Sequence, residues 1–595
     1  MSNTNETDHD TLPPSMDPAA GGGTVEPPTD FMGIVKRLGP GLIIAGSIVG
    51  SGELIATTKT GAQAGIALLW LVIIGCLIKV FVQIELGRYT INHGETTLAA
   101  LDRVPGPRLR VNWIVWYWLI MVLVGLGQLG GIVGGVGQAL ALGFPLSGDY
   151  AHAIQVPSEN ELKRYIAWSD DIENGDVEFA KLNEDDKERI NEGIKGLQKK
   201  LAKLDEASSK RGTVAIAAVR RLIETERRQI EWKKPDSGAD AGQLESIQIS
   251  IDRKKAKVKE LLAPVTWDDK YWAFFVTLTT IAVLYRGQYN LIQTISTGLV
   301  VTFTFVTIGN VISLQLEPDF QLSASEIISG LWFQLPQTLP PPPGIVGWEI
   351  KRPLATALFT FGIIGVGASE LVMYPYWCLE KGYAKFTGVR SDDEGWANRA
   401  RGWMKVMRYD AFLSMVIYTI ATLAFFVMGV AVLYKQGLDP DGTRMVSTLM
   451  EQYVPVFGEF AQWLFLFGAV SVLYSTFLVA NAGLARVYAD ALKVFGLMSL
   501  HSEKTHQRAV SAFCVILPSI SLAVFCTGFN VVELVLLGGF MQAIMLPMLG
   551  FAALYFRFRM VDSRVKPGGL WDAFLIISCI GLLIAGGWGA YSKIF

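Results

Sequence analysis

Long apolar runs joined by short charged loops set the pattern of this chain. Eleven are long enough to cross roughly 30 Å of hydrocarbon, near 38–58, 66–90, 113–143, 270–286, 292–315, 353–379, 409–434, 457–480, 509–527, 530–556 and 571–591. The first and sixth are interrupted at mid-run by glycines and polar residues. Between the third and fourth the pattern changes. Ile190, Ile194, Leu197, Leu201 and Leu204 recur there at alternating steps of four and three. Ile216, Val219, Ile223 and Ile230 continue the seam after Gly212, and Ile247, Ile251 and Val258 follow a turn around Pro235. Apolar seams on otherwise polar helices predict two or three antiparallel helices packed together.

Composition sharpens this division. The 595 residues are 51% hydrophobic and only 18% charged, and 47 of the 106 charged side chains fall within 151–270. A soluble enzyme and a disordered scaffold are excluded for the remainder, which belongs in a bilayer. A net charge of −2 offers no basic footprint for nucleic acid. Cys76, Cys378, Cys514, Cys526 and Cys579 all lie in apolar runs without a C-x-x-C partner, so neither a disulfide framework nor a thiolate metal cluster is expected. Residues 1–30, polar and rich in Pro and Gly, read as a disordered amino-terminal tail rather than a cleaved signal.

Lys and Arg in short loops favour one side by 22 to 6, which predicts a cytoplasmic amino terminus and an external carboxyl terminus, in the plasma (inner) membrane. The expected organisation is then a tail (1–30), transmembrane helices one to three (31–148), an extracytoplasmic helical insertion (149–268) and helices four to eleven (269–595). The insertion interleaves 23 basic with 24 acidic residues within 151–270, so it is no polybasic lipid anchor. A solvated appendage is one reading of it; docking of a protein partner or self-association is the other.

The two interrupted spans echo each other. Span one reads Ile48-Val49-Gly50-Ser51-Gly52-Glu53-Leu54-Ile55, and span six reads Gly365-Val366-Gly367-Ala368-Ser369-Glu370-Leu371-Val372. Both carry V-G-x-x-E-L, and with five spans from one to the other they enter the membrane in opposite senses. That predicts inverted five-helix repeats with a site where the breaks face each other. A carboxylate near the bilayer centre costs about 2.5–3.5 kcal/mol on insertion scales, so Glu53 and Glu370 should face protein, water or an ion. Carbonyls released near Gly50 and Gly367, with the Ser51 and Ser369 hydroxyls, would complete an all-oxygen cage suited to a hard divalent cation. The competing reading makes each Glu protonated or hydrogen-bonded and merely structural.

Other polar positions carry weaker signals. Lys79, Gln83 and Glu85 of span two could serve a site carboxylate or pair structurally. Cys378 could ligate or simply pack. Tyr474, Ser475 and Thr476 could lend hydroxyls to an ion or to helix packing. His93 could titrate in a proton path or lie at an interface. No nucleophile–base pair, zinc motif or P-loop is present, so neither an enzyme nor an ATP-driven pump is expected.

These residues, together with Gly39-Pro40, Gly61-Ala62-Gln63-Ala64-Gly65, Ala67-Leu68-Leu69-Trp70, Glu317-Pro318-Asp319, Arg408-Tyr409-Asp410 and Ser475-Thr476, resemble the Nramp family of divalent-metal transporters over 31–148 and 269–560. The resemblance implies a LeuT-like all-α membrane fold and proton-coupled import of Mn²⁺ or Fe²⁺. Where the family carries Asp-Pro-Gly-Asn in span one, this chain has Gly50, Ser51, Gly52 and Glu53. An ungapped match puts Leu371 at the family's metal-binding Met, with Met373 and Tyr374 just beyond. The acidic pair tied to proton passage becomes Gln128 and Gly131. Replacing a thioether by carboxylates moves the preference toward Mg²⁺. The leading expectation is therefore a secondary-active or facilitative transporter of Mn²⁺/Fe²⁺ or Mg²⁺, needing no cofactor besides its cargo. An amino-acid or polyamine permease of the same fold is the alternative, and a receptor built on the insertion a third.

Overall fold

The computed structural model describes residues 23–175, 177–234, 237–286, 289–336, 342–345, 353–498 and 502–594. Residues 1–22 of the expected tail, Pro235, Lys351 and Arg352 lie outside them. Residues 23–30 are not loose as expected. The Val25 N–H donates to the Phe386 carbonyl at 3.0 Å, and the Trp403 indole donates to the Val25 carbonyl at 2.9 Å. Two backbone hydrogen bonds and the Trp403 ring outweigh the polar composition there.

All eleven apolar runs coincide with helix. Span one is Pro40–Ile48 followed by a π-helical stretch, Gly52–Thr57, and Thr58–Ala64. Span two is Leu69–Leu77 and Lys79–His93. Spans three to five are Trp113–Gly143, Asp268–Tyr285 and Tyr289–Leu314. Span six is split into Pro353–Phe361 and Ala368–Lys381, and span seven is Glu394–Met428 with a π-helical end, Gly429–Tyr434. Ala461–Val494, Glu503–Cys526, Val531–Tyr555 and Gly569–Ile594 complete the set. Taken singly, eight helices among the described residues are long and apolar enough to cross, or nine counting the pair bent by 56° at the start of span one. Spans four and six fall short, the first because Thr and charged residues dilute it and the second because its break leaves two pieces of nine and fourteen residues. Apart from a two-residue hairpin pair, Arg108–Leu109 with Val111–Asn112, the described residues form no sheet.

Spans one to five and six to ten form the two inverted repeats, and span eleven packs outside them. The far end of span one is clasped by the end of span seven. A Cβ at Gly61 would sit 2.5 Å from the Phe426 carbonyl oxygen, and one at Gly429 would sit 2.4 Å from the Thr58 carbonyl oxygen. Each backbone therefore uses the other's missing side chain. Lys59 closes the contact, donating to Asp439 Oδ1 at 3.0 Å and to the Pro440 carbonyl at 2.8 Å. Buried at 6% exposure, this ammonium needs both partners.

The insertion folds around its own core, in which Leu162, Ile166, Val219, Ile223, Ile251 and Val258 are buried. Its long helices are Glu159–Glu173, Glu184–Ala202, Glu206–Trp232 and Ala241–Leu262. The two stalks are pinned to each other. Asp268 accepts the Ser147 and Gly148 N–H groups at 2.8 Å each, and Asp149 accepts the Trp267 N–H at 2.6 Å. Arg444, on the loop after span seven, donates to the Val156 carbonyl at 2.6 Å and the Leu262 carbonyl at 2.9 Å. Tyr150 and Tyr165 donate to the Thr443 and Gly437 carbonyls at 2.6 and 3.1 Å. The insertion is thus fastened to the same loop that holds span one through Lys59.

Gly429 has φ −58° and ψ −41°, so alanine suits its backbone and only the Thr58 carbonyl objects. Gly429→Ala should lower stability by about 1–3 kcal/mol, the usual penalty of overpacking. Thermal unfolding of the purified protein in detergent measures it, and an unchanged midpoint would disprove the clasp.

Candidate functional site

Each half-helix at the breaks releases backbone groups that hydrocarbon cannot satisfy, so partners must come from neighbouring spans. At the start of span one, Asp410 of span seven accepts the Gly39 N–H at 2.9 Å and the Gly41 N–H at 2.5 Å. Nine residues on, the helix stops at Ile48, and Val49 leaves it with ψ 81°. Thr476 of span eight donates to the Ser47 carbonyl at 3.1 Å, taking up one released acceptor. Gly50 is a matter of room rather than of backbone freedom: a Cβ there would fall 1.6 Å from Thr476 Oγ1.

Glu53 closes this break on itself. Its carboxylate accepts the Gly50 N–H at 3.2 Å and the Thr422 hydroxyl at 3.1 Å, and the Gly365 N–H from the opposite break also faces it. The side chain is 0% exposed. In span six the unwound stretch is 362–367. Gly365 takes φ 57°, a conformation that favours glycine, and a Cβ at Gly362 would fall 1.9 Å from the Gly539 carbonyl oxygen of span ten. Lys79 donates to the Phe361 carbonyl and, at 2.7 Å, to the Ile364 carbonyl. The second half then begins at Ala368, with Glu370 in its first turn, where the helix's positive end favours a carboxylate.

Between the breaks lies a cavity of about 40 Å³, room for one or two waters. Glu370 is the one carboxylate on its wall among the described residues. Glu370 Oε1 accepts the Ser47 hydroxyl at 3.0 Å. Ser51, Ser369 and Thr476 add polar groups, and an amide pair from distant spans completes the wall: Gln542 accepts the Ser369 N–H at 3.1 Å and donates to Gln128 Oε1 at 3.0 Å. Met373 reaches the same wall, its sulfur packed so closely on span eight that a Cβ at Gly483 would fall 2.3 Å from it.

The expected set therefore divides. Glu370, Ser51 and Ser369 face the cavity. Glu53, Gly50 and Gly367 are not on its wall: Glu53 points toward span seven, where the Gly50 amide and the Thr422 hydroxyl hold its carboxylate, rather than meeting Glu370 across the cavity. Among the described residues no group of three or more His, Cys, Asp or Glu side chains could hold a metal. Of the residues left open, Leu371 and Cys378 are buried off the wall, and Tyr374 donates to Asp410 at 3.2 Å. Gln542 and Ser47 join the wall although no sequence motif marks them. A lone amide in the apolar stretch around 542 was the available signal for the first.

No family model matches the chain, and no curated protein does. Among solved structures, a histidine-to-alanine mutant of the Eremococcus coleocola manganese transporter superposes with a TM-score of 0.51 at 13% identity, covering 95% of this chain and 88% of that one. MhsT in complex with L-phenylalanine gives 0.45 at 15% identity, covering 95% and 99%. Mhp1, a nucleobase-cation-symport-1 family transporter in a closed conformation, gives 0.39 at 11% identity, covering 93% of each chain. The superposition on the first of these, together with the eight or nine long apolar helices among the described residues, makes the chain an all-α, multi-pass membrane protein with the LeuT-like inverted-repeat fold.

Gly50→Ala should cost about 1–3 kcal/mol through its collision with Thr476. Adding Thr476→Ala should recover part of the loss, a non-additivity read from a double-mutant cycle of thermal midpoints. Strict additivity would show that the two positions do not touch.

Proposed function

We propose that this protein is an alternating-access transporter of a divalent metal cation, and that the ion is held at the Glu370 end of the cavity. The observation that carries the reading is a half-buried carboxylate, the one on the wall among the described residues, facing an ion-sized space at the junction of two broken helices. Intramembrane acids of this kind are expensive to bury and mark pathways for cations. Ser47, Ser51, Ser369, Thr476 and the Gln128–Gln542 pair supply neutral oxygens around it. The sequence resemblance to Nramp metal transporters and the fold shared with a manganese transporter support the same class.

Size weighs against the permease reading. Sites for drug-sized organic molecules enclose some 300–1,000 Å³, far above the 40 Å³ here. The donor set also bears on the ion. Met373 adds a thioether to the oxygens, which favours Mn²⁺ or Fe²⁺ over Mg²⁺. In this reading the amino terminus is cytoplasmic, as the short-loop charges predict, and the insertion covers the external face of a plasma-membrane protein. The insertion's solvated helices leave protein docking or self-association as its proposed use.

Uptake of Mn²⁺ into proteoliposomes tests the assignment. Glu370→Gln should reduce it by about tenfold or more, the loss of one charged ligand. Glu53→Gln should leave uptake within about threefold while lowering the thermal midpoint, because that carboxylate serves the backbone. Equal loss from both variants would restore a two-carboxylate site, and full activity in Glu370→Gln would remove the site altogether. Met373→Leu should narrow the preference for Mn²⁺ over Mg²⁺ in a competition series.

A further inference from the structure

Lys79 has no place in the cation site just described, yet it sits beside it. The side chain is 0% exposed, in the middle of span two. Among the described residues no carboxylate lies within ion-pair distance of its ammonium. What it has instead is backbone. Nζ donates to the carbonyls of Phe361 and Ile364, the last residue of span six's first half and the middle of its unwound stretch, and it lies 4.7 Å from the centre of the Phe361 ring. Among the described residues no backbone N–H outside regular helix takes either carbonyl. The first half of span six also ends there, so its negative pole points into the same spot. Two carbonyl oxygens, a helix carboxyl end and an aromatic face are the surroundings a bare monovalent cation would seek.

We propose that Lys79 is a tethered cation that holds the span-six break in shape, doing for residues 362–367 what a bound monovalent ion would otherwise have to do. Glu53 is its counterpart on the amide side of the same junction, facing the Gly50 and Gly365 N–H groups. Together they place one accepting and one donating side chain on the freed backbone of the two breaks. Lys79 is a positioning residue: it touches no wall of the cavity, and it acts through the stretch that delivers Ser369 and Glu370. With that position filled by the chain itself, and on the reading of Glu370 as the cation ligand, uptake requires no sodium.

Three measurements on the full chain decide it. Mn²⁺ uptake by the unaltered protein in proteoliposomes should be the same in sodium and in choline medium; a requirement for sodium overturns the proposal. Lys79→Met and Lys79→Ala should each lose uptake by about ten- to a hundredfold, the scale of a charged hydrogen-bond donor withdrawn from buried acceptors. In Lys79→Ala, methylammonium or sodium should restore part of it, as a purely structural lysine would not allow; undiminished uptake, or loss that no monovalent cation relieves, overturns it. Hydrogen exchange should accelerate at 362–367 in Lys79→Met, and unchanged exchange there counts against it. If the unaltered protein moves no Mn²⁺ at all, the functional reading fails instead, and hydrogen exchange still decides the role of Lys79 because it reads the break directly.

Discussion

An interrupted helix inside hydrocarbon is tolerable only if every backbone group it releases finds a partner, and the architecture of this protein follows from that demand. Span one surrenders amides and carbonyls around 49–51, span six around 362–367. The partners come from three other spans, Lys79 from the second, Thr476 from the eighth and Gln542 from the tenth, and from Glu53 of span one itself, which takes the Gly50 amide while Thr422 of the seventh holds its carboxylate. Each is a polar group that would be costly on an uninterrupted apolar helix. The breaks and the buried polar residues of the neighbouring spans therefore explain each other, and neither would be stable alone.

The repeat symmetry ends at the side chains. Glu53 and Glu370 occupy matched positions of V-G-x-x-E-L in the two halves, yet one is consumed by backbone and the other looks into a cavity. The difference traces to local partners. Near Glu53 stand the Gly50 amide and the Thr422 hydroxyl, at 3.2 and 3.1 Å. Beside Glu370 the equivalent helix turn is replaced by a clean start at Ala368, and its one hydroxyl partner, Ser47, belongs to the cavity wall. Matched sequence placed the two acids at corresponding positions of the two breaks; what surrounds them decided which way each carboxylate points.

Hydrophobic periodicity made most of the fold legible. Eleven apolar runs became helices, and the heptad seam through Leu197, Val219, Ile223, Ile251 and Val258 became the insertion's own core. Glycine interruptions located both breaks. The direction of a carboxylate was not legible, because it depends on which neighbouring helix presents a donor, and Thr422 and Gln542 lie far from either motif in sequence. Lys79 was legible as a buried charge without its partner: main-chain carbonyls at 361 and 364 leave no mark on residue identity. The packing of Val25 on Phe386 and Trp403 was hidden by a composition that reads as disordered.

The smallness of the central cavity has a consequence for any ion that reaches it. Some 40 Å³ has no space for a six-water hydration shell, so an arriving cation must be stripped nearly bare. Mg²⁺ gives up its waters reluctantly, whereas larger divalent ions accept irregular and partial shells more readily. Discrimination between metals would then be exercised at the threshold, by the work of dehydration, before any difference in ligand softness is felt.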